Sequence, residues 1–235
     1  LEEAHIPYTG SGPEASRRAM DKIVSKELFG KAGVPTAEYV VFDGEVTDEA
    51  LEAAIGSLGE KVVVKPAAQG SSIGVTITGA EGLAGALEKA LSYDGAAIVE
   101  RYVAGRELTV GIVGETALPI IELAPLNEFF DYDAKYTKGH TNYILNPELP
   151  VGVDGKAREA ALGAFECLGC RDLSRVDMMI NESGELFVLE VNTIPGFTET
   201  SLVPMAAAAV GMDFPALCAG IVEMALERCA AAGKA

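Results

Sequence analysis

Hydrophobic and polar positions divide the chain into interleaved helical and strand-like segments, without an internal repeat. Start and stop residues mark the helix boundaries, such as Pro13 in a first turn and Gly33-Val34-Pro35 at an end. The predicted helices span about 19–33, 47–58, 80–93, 155–168, 201–210 and 214–231. The predicted strands span 37–42, 61–66, 74–78, 96–103, 107–113 and 117–123, followed by a hairpin that starts at residue 175. This order predicts a mixed α+β chain in two lobes, with Gly105 as the hinge.

The hairpin is predicted because two apolar runs flank Asn181-Glu182-Ser183-Gly184, a turn composition. Side chains alternate between the two faces of a strand, so the segment sorts its residues into two sets. The expected core face carries Val176, Met178, Ile180, Phe187, Leu189 and Val191. The expected outer face carries Arg175, Asp177, Glu190 and Asn192. With the four turn residues as the loop, Ile180 pairs with Glu185, Arg175 lies opposite Glu190, and Asp177 lies diagonal to Glu190.

The outer face has the composition of a divalent cation site. Diagonal neighbours on one face of a sheet lie roughly 7 Å apart, a gap that suits two carboxylates jointly holding cations. The carbonyl of Asn192 would add a further hard oxygen ligand. On the hairpin alone, a solvated face with scattered charge is an equally good interpretation.

A second candidate site lies where Lys65-Pro66 ends a strand and Gly70-Ser71-Ser72-Ile73-Gly74 leads into the next. Small residues let backbone N–H groups approach an anion closely, and Lys65 adds a point charge. A plain β-hairpin turn is the competing interpretation. Glu100-Arg101-Tyr102-Val103 ends another strand at the hinge, where backbone groups and an aromatic ring could meet an adenine edge.

The composition limits the kinds of partner. Of 235 residues, 49% are hydrophobic, which is enough to bury one large domain or two joined lobes. A net charge of −17 argues against nucleic acid and against an anionic membrane surface. The longest apolar stretch, 204–212, is too short to span a bilayer, so we expect a cytoplasmic protein. The cysteines, including Cys167 and Cys170, lack the spacing of a zinc site and are expected to be reduced.

The polar, Tyr-rich stretch 128–146 shows little periodicity. A stretch that long without regular structure inside a compact protein is more often a functional lid than a linker. We therefore expect a mobile lid there.

In chain order, these segments resemble the D-alanine–D-alanine ligases, a family of the ATP-grasp superfamily. The resemblance is carried by Met20-Asp21-Lys22, Lys65-Pro66, Gly70-Ser71-Ser72-Ile73-Gly74, Glu100-Arg101-Tyr102-Val103, Asp131-Tyr132-Asp133-Ala134-Lys135-Tyr136, Arg175-Val176-Asp177, Glu190-Val191-Asn192-Thr193-Ile194-Pro195-Gly196 and Ser201-Leu202-Val203-Pro204. It implies an ATP-grasp fold, in which two α+β lobes grip ATP between them. The implied division is 1–18 as the remnant of an N-terminal substrate lobe, 19–104 as the small subdomain and 105–235 as the catalytic subdomain.

The implied activity joins two D-alanines through an acyl phosphate, giving D-alanyl-D-alanine, ADP and phosphate for peptidoglycan synthesis. The residues implied to bind ATP are Lys22, Lys65, Ser71, Ser72, Glu100, Arg101, Tyr102, Val103, Glu107 and Lys135. Those implied to hold two Mg²⁺ ions, or Mn²⁺, are Asp177, Glu190 and Asn192. Those implied to act on the reacting groups are Arg175, Ser71, Tyr136 and the Gly196 backbone N–H, with Ser201 and Leu202 holding the second substrate. We also expect a homodimer.

Two alternatives remain from the sequence. One is a related ligase that takes D-serine, D-lactate or another amino acid as second substrate. The other is a non-catalytic ATP-binding relative, because the family's N-terminal lobe carries a Glu that no residue here matches. The chain begins at Leu1, and 6–12 resembles the end of that lobe, so we expect the natural N-terminus to lie upstream.

Overall fold

The computed structural model describes residues 1–4, 6–125 and 141–232. The helices in these ranges are α1 (Pro13–Met20), α2 (Lys22–Ala32), α3 (Asp48–Leu58), α4 (Ala80–Asp94), α5 (Val153–Leu168), α6 (Leu202–Ala208) and α7 (Phe214–Ala232). The strands are β1 (Tyr39–Phe42), β2 (Val62–Pro66), β3 (Thr76–Thr78), β4 (Ala97–Arg101), β5 (Arg106–Val113), β6 (Thr116–Ala117), β7 (Ile121–Pro125), β8 (Thr141–Leu145), β9 (Leu173–Ile180) and β10 (Leu186–Asn192). Lys135, Tyr136 and most of the predicted lid lie outside the described residues. Among the helices described, none is long and apolar enough to cross a membrane.

The strands of the described ranges form two antiparallel sheets. The small sheet has the order β1–β4–β2–β3. The large sheet has the order β10–β9–β5–β7–β8, with β6 paired to β5. The mixed α+β class predicted from the sequence is confirmed.

Within the residues that the structure describes, three hydrophobic cores hold these layers together. The core of the small sheet packs under α3 and α4. The large sheet is covered on both faces, by α1, α2 and α5 on one side and by α6 and α7 on the other. Helix α2 contributes Phe29 to the core of the large sheet, although it precedes the small sheet in sequence. Burial of this apolar surface is the main favourable contribution to folding.

The helix start predicted at Pro13 is the start of α1, and the helix predicted from about residue 19 begins instead at Lys22, because Asp21 separates the two helices. Asp21 is extended, with φ −85° and ψ 107°, and its carboxylate accepts hydrogen bonds from the N–H groups of Ile23 and Val24 at 3.0 and 3.1 Å. An Asp that caps the next helix satisfies its exposed N–H groups better than an interior Asp can. The break makes Lys22 the first residue of α2.

Two further differences concern the large sheet. The predicted strand 117–123 is divided into β6 and β7, because Pro119 between them has no N–H to offer a ladder. The end of the predicted lid forms β8, an edge strand paired to β7.

The hairpin of β9 and β10 has a different register from the predicted one. Asn181 and Glu185 close the turn through the Asn181 N–H and side chain, so Ile180 pairs with Leu186 instead of Glu185. A β-bulge at Leu189 then absorbs one residue, which changes the alternation of faces. Phe187 and Leu189 were predicted to lie in the core, and this was wrong, because both are half-buried. The core residues of β10 are Leu186, Val188 and Val191.

The two sheets are joined at Gly105, where the chain passes close to the end of β9. Gly105 has φ +155°, and a Cβ added to it would lie 2.0 Å from the carbonyl oxygen of Ile180. Only glycine fits such a close backbone approach.

Candidate functional site

Four polar side chains lie on the outer face of the β9–β10 hairpin, as predicted: Arg175, Asp177, Glu190 and Asn192. Their pairing differs from the prediction, because the bulge sets Glu190 directly opposite Asp177 and Asn192 directly opposite Arg175. Directly opposite residues have Cβ atoms about 4.5–5.5 Å apart, whereas diagonal neighbours are farther apart. Asp177 and Glu190 are therefore direct cross-strand neighbours, and not the diagonal neighbours that the sequence suggested.

The carboxylate of Asp177 is 2% exposed and is held from two sides. Arg175 donates to its two oxygens through Nε and Nη2 at 2.9 and 2.7 Å, and Thr109 Oγ1 on β5 donates to Oδ1 at 2.6 Å. The negative charge of Asp177 raises the pKa of Arg175 further above its ordinary value, although burial acts against this. Arg175 is therefore a fixed positive charge beside the carboxylate.

Lys22 connects this face to the loop that follows β2. Its ammonium donates to the carbonyl oxygen of Gln69 at 2.5 Å and lies 3.7 Å from Glu190 Oε2. Its backbone N–H donates to the carbonyl oxygen of Ala67 at 2.8 Å. Burial lowers the pKa of Lys22, and the charge of Glu190 partly offsets that effect. Lys22 thus brings the predicted phosphate loop next to a predicted metal ligand.

The donor set of the hairpin fits a hard divalent cation. Carboxylate and amide oxygens are the ligands that Mg²⁺ prefers, together with water and phosphate oxygens. Within the described ranges, no group of three or more His, Cys, Asp or Glu residues could hold a metal ion. A cation at this face would therefore bind through Asp177, Glu190 and the Asn192 amide, and would need further ligands from a substrate.

On the small sheet, the predicted nucleotide residues Lys65 and Glu100 form an ion pair of 2.8 Å. A second ammonium, that of Lys26 on α2, lies 3.3 Å from the other carboxylate oxygen. Burial alone would raise the pKa of Glu100, but the charges of Lys65 and Lys26 outweigh it and lower the pKa below its ordinary value. The Glu100 side chain is therefore charged and already paired with two lysines. A ligand that binds at the end of β4 would contact backbone groups instead of this carboxylate.

The remaining predicted adenine residues lie at and just after the C-terminal end of β4. Arg101 is exposed and pairs with Glu38. The ammonium of Lys61 lies 4.0 Å from the ring centroid of Tyr102, which is a cation–π contact. Val103 follows and is half-buried.

Glu107 lies on β5 opposite Met179 of β9 and two residues before Thr109. Side chains two apart on a strand share a face, so Glu107 and Thr109 lie on the face that carries Asp177. The predicted ribose ligand and the predicted metal ligands are therefore on one surface of the large sheet.

Ser71 and Ser72 both have a left-handed backbone, with φ 55° and 57°. Non-glycine residues rarely adopt this conformation, and it persists where surrounding structure or function requires it. Gly74 follows with φ 73°, and a Cβ there would lie 2.6 Å from Pro66 Cγ. The loop is thus a closely folded turn against the end of β2, as a small-residue anion loop requires.

The predicted residues of the second substrate site lie at the start of α6. Ser201 precedes the helix, and its Oγ accepts a hydrogen bond from the N–H of Thr198 at 3.0 Å. A Cβ added at Gly196 would lie 3.3 Å from Ser201 Oγ, so Gly196 and Ser201 are neighbours. Leu202 is half-buried and packs against the core between α6, α7 and the large sheet.

Two residues that contribute to the site were missed from the sequence. Thr109 could have been found, because it alternates with Glu107 along an otherwise apolar strand. Lys26 could have been found from its spacing of four residues after Lys22, which places both on one helix face.

Comparison with known proteins agrees with this arrangement. Residues 28–223 match the family model described as D-ala D-ala ligase C-terminus. The D-alanine–D-alanine ligase of Pelotomaculum thermopropionicum is 42% identical over an alignment that covers 97% of this chain and 75% of that protein. The chain thus spans about three quarters of the length of this relative.

Solved structures give the same result. The D-alanine–D-alanine ligase of Bacillus anthracis complexed with ATP has a TM-score of 0.82 and 34% identity, covering 97% of this chain and 74% of the other. The VanG D-Ala:D-Ser ligase of Enterococcus faecalis has a TM-score of 0.84 and 30% identity, covering 95% and 66%. The fold is therefore that of the ATP-grasp enzymes, and the chain belongs to the D-alanine–D-alanine ligase family.

Proposed function

We propose that this protein joins two D-alanines at the expense of ATP, as a step in the synthesis of peptidoglycan precursors. The carboxylate of the first D-alanine takes the γ-phosphoryl group of ATP and becomes an acyl phosphate. The amine of the second attacks that carbonyl, and phosphate leaves. The observation that carries the proposal is the contact of Lys22 with Glu190, because it joins phosphate-binding groups to metal-binding carboxylates.

The proposed nucleotide site lies between the small sheet and the outer face of the large sheet. Lys22 and Lys65 would bind phosphate oxygens, with the Ser71-Ser72 turn over them and Lys135 in the predicted lid. The strand end from Glu100 to Val103 would hold adenine, and Glu107 the ribose. This proposal is supported by the position of both lysines beside carboxylates, with Lys22 3.7 Å from Glu190 and Lys65 2.8 Å from Glu100. The two ion pairs hold cationic groups in place in a protein of net charge −17.

The proposed metal site consists of Asp177, Glu190 and Asn192, and the two Mg²⁺ ions held there would neutralise charge between transferring phosphoryl oxygens. Arg175 and Thr109 hold the carboxylate of Asp177 in place, directly opposite Glu190 on the same face of the hairpin.

The chain's own groups would act on the reacting carbonyl. Arg175 stays charged and would stabilise the acyl phosphate and the developing oxyanion, together with the Gly196 N–H. Ser71 and Tyr136 would orient the ammonium of the first substrate. Ser201 and Leu202 would fix the carboxylate of the second. A closed lid would exclude water from the acyl phosphate.

We expect Thr109→Val to weaken Mg²⁺ binding by about tenfold, while the free energy of unfolding falls by about 1 kcal/mol. Valine keeps the shape of the side chain but leaves Asp177 with one donor fewer to hold its orientation. Mn²⁺ binding followed by paramagnetic relaxation of water, with ATP present, measures the affinity without requiring turnover. An unchanged cation affinity would show that Thr109 has only a packing role.

The proposed function is tested by substrate dependence. With the complete gene product, phosphate release from ATP should require D-alanine, yield D-alanyl-D-alanine by mass spectrometry, and fail with L-alanine. The site pairs charged and polar groups with the substrate, and a ligand that leaves them unpaired loses several kcal/mol, or roughly a thousandfold in rate. ATP binding without any ligation product would favour the non-catalytic alternative.

A second candidate function is ligation with D-serine as the second substrate, which the likeness to the VanG D-Ala:D-Ser ligase favours. The same panel, extended to D-serine and D-lactate at neutral pH, decides between them. The homodimer, the cytoplasmic location and the absence of nucleic acid and membrane partners remain predictions, and sedimentation analysis tests the first.

A further inference from the structure

Lys26 is a cation buried inside the protein, with 1% of its surface exposed. Its ammonium donates to Thr36 Oγ1 at 2.6 Å and to the carbonyl oxygen of Ala37 at 3.2 Å, and lies 5.3 Å from the ring centroid of Tyr39. Burial lowers the pKa of Lys26 to about 8, with the charge of Glu100 acting in the opposite direction. A buried charge is costly to keep, so this one requires an explanation.

The explanation starts from Glu100, which is 2% exposed and shared by two ammonium groups. Lys65 reaches it at 2.8 Å from β2, and Lys26 reaches it at 3.3 Å from α2. Two ammoniums and one carboxylate leave this charged trio (Lys26, Lys65 and Glu100) with a net charge of one positive unit. Lys65 is the more exposed of the two lysines, with 12% of its side chain accessible. The excess positive charge is therefore available to a ligand through the ammonium of Lys65.

Lys26 is also fixed to the large sheet. Thr36 Oγ1, which accepts from Lys26, donates to the carbonyl oxygen of Val188 at 2.8 Å, and the Val188 N–H donates to the carbonyl oxygen of Pro35 at 2.8 Å. Val188 is the last residue of β10 before the bulge. The ammonium is thereby held at a constant position between the two sheets.

We propose that Lys26 is a positioning residue for nucleotide phosphate, which neutralises Glu100 so that Lys65 remains a net cation toward the ligand. This inference rests on the proposed function, in which Lys65 binds an ATP phosphate. Without Lys26, Lys65 and Glu100 form a neutral pair, and Lys65 must leave its carboxylate uncompensated in order to bind phosphate. The loss should then fall on the phosphates and not on the nucleoside.

Three variants separate charge from structure. Lys26→Met makes the trio neutral, Lys26→Gln does the same while keeping hydrogen-bonding capacity toward Thr36, and Lys26→Met with Glu100→Gln restores one positive charge. Lys31→Met, an exposed lysine on the same helix, is the matched control for a change in overall charge. Calorimetry gives the dissociation constants of ATP and ADP with Mg²⁺, ligand-observed NMR gives that of adenosine, and thermal unfolding verifies the fold.

We expect Lys26→Met and Lys26→Gln to weaken ATP binding by about tenfold and adenosine binding by less than about twofold, since one unit charge at short range is removed. In the double variant, the ratio of ATP affinity to adenosine affinity should return to within about threefold of the wild-type ratio, because its charge equals that of the wild type and any loss at the adenine affects both ligands. Equal losses for ATP and adenosine in the Lys26 variants, or a folded double variant whose ratio stays low, would overturn the inference. Failure of the wild type to bind ATP would overturn the proposed function itself. If Lys26→Met does not fold, Lys26→Gln decides.

Discussion

Asp177→Asn should reduce ligation by about a thousandfold, the rate equivalent of several kcal/mol of charge stabilisation at the transferring phosphoryl group. The substitution removes one negative charge opposite Glu190 but keeps the shape of the side chain and an oxygen that can accept from Arg175 and Thr109. Glu190→Gln should have an effect of similar size. Steady-state phosphate release at saturating ATP and D-alanine, with Mg²⁺ varied, gives the rates.

The matched control is Asp154→Asn, which makes the same chemical change at an exposed residue of α5 that pairs with Arg158. Its rate should equal that of the wild type. Near-normal turnover of Asp177→Asn at the Mg²⁺ concentration used for the wild type would show that the metal assignment is wrong. Circular dichroism and thermal unfolding distinguish a lost ligand from a lost fold.

The second large effect is expected on stability, from Gly105→Ala. A methyl group at this position would lie 2.0 Å from the carbonyl oxygen of Ile180 and 3.0 Å from the Cα of Asn181. Backbone atoms cannot move away as a flexible side chain can, so the end of β9 or the start of β5 must shift. We expect the free energy of unfolding to fall by about 3 kcal/mol or more, as measured by urea denaturation.

Gly95→Ala is the control for the conformational part of that loss. Gly95 ends α4 with φ +73°, and an added Cβ would meet no atom within 4 Å. Its cost should be about 1 kcal/mol, the ordinary penalty of a left-handed alanine. If the two variants lost the same stability, the close approach at Gly105 would contribute nothing measurable.

The elements that could be predicted from the sequence are those set by local signals. The helix predicted over 47–58 forms α3 (Asp48–Leu58), which Thr47 caps by accepting a hydrogen bond from the N–H of Ala50 at 3.3 Å. The outer face of the hairpin was identified from alternation alone, since Asp177 and Glu190 lie on it as expected. The predicted boundaries of α4 and α5, 80–93 and 155–168, lie within two residues of the observed ones.

The parts that could not be predicted depend on non-local contacts or on one-residue details. The bulge at Leu189 could not be seen, because hydrophobic side chains occupy positions 186 to 189 without a break and suit either register. The turn closed by Asn181 and Glu185 decides which of the two registers forms. The pairing of Glu100 with two lysines could not be predicted, because Lys26 and Lys65 belong to different elements. The boundaries at 18/19 and 104/105 remain predictions.

The packing of α2 has a consequence for how the native protein opens. The small sheet has a core of its own with α3 and α4, whereas Phe29 of α2 belongs to the large sheet. The groups that join Lys26 to Glu100 are polar, and such contacts yield to water more readily than a packed core does. We therefore expect native-state hydrogen exchange to reveal a sub-global unfolding unit of residues 39–101, with α2 remaining protected. A nucleotide bound between the two sheets would slow that exchange. The exchange rate of residues 39–101 would therefore measure whether nucleotide is bound.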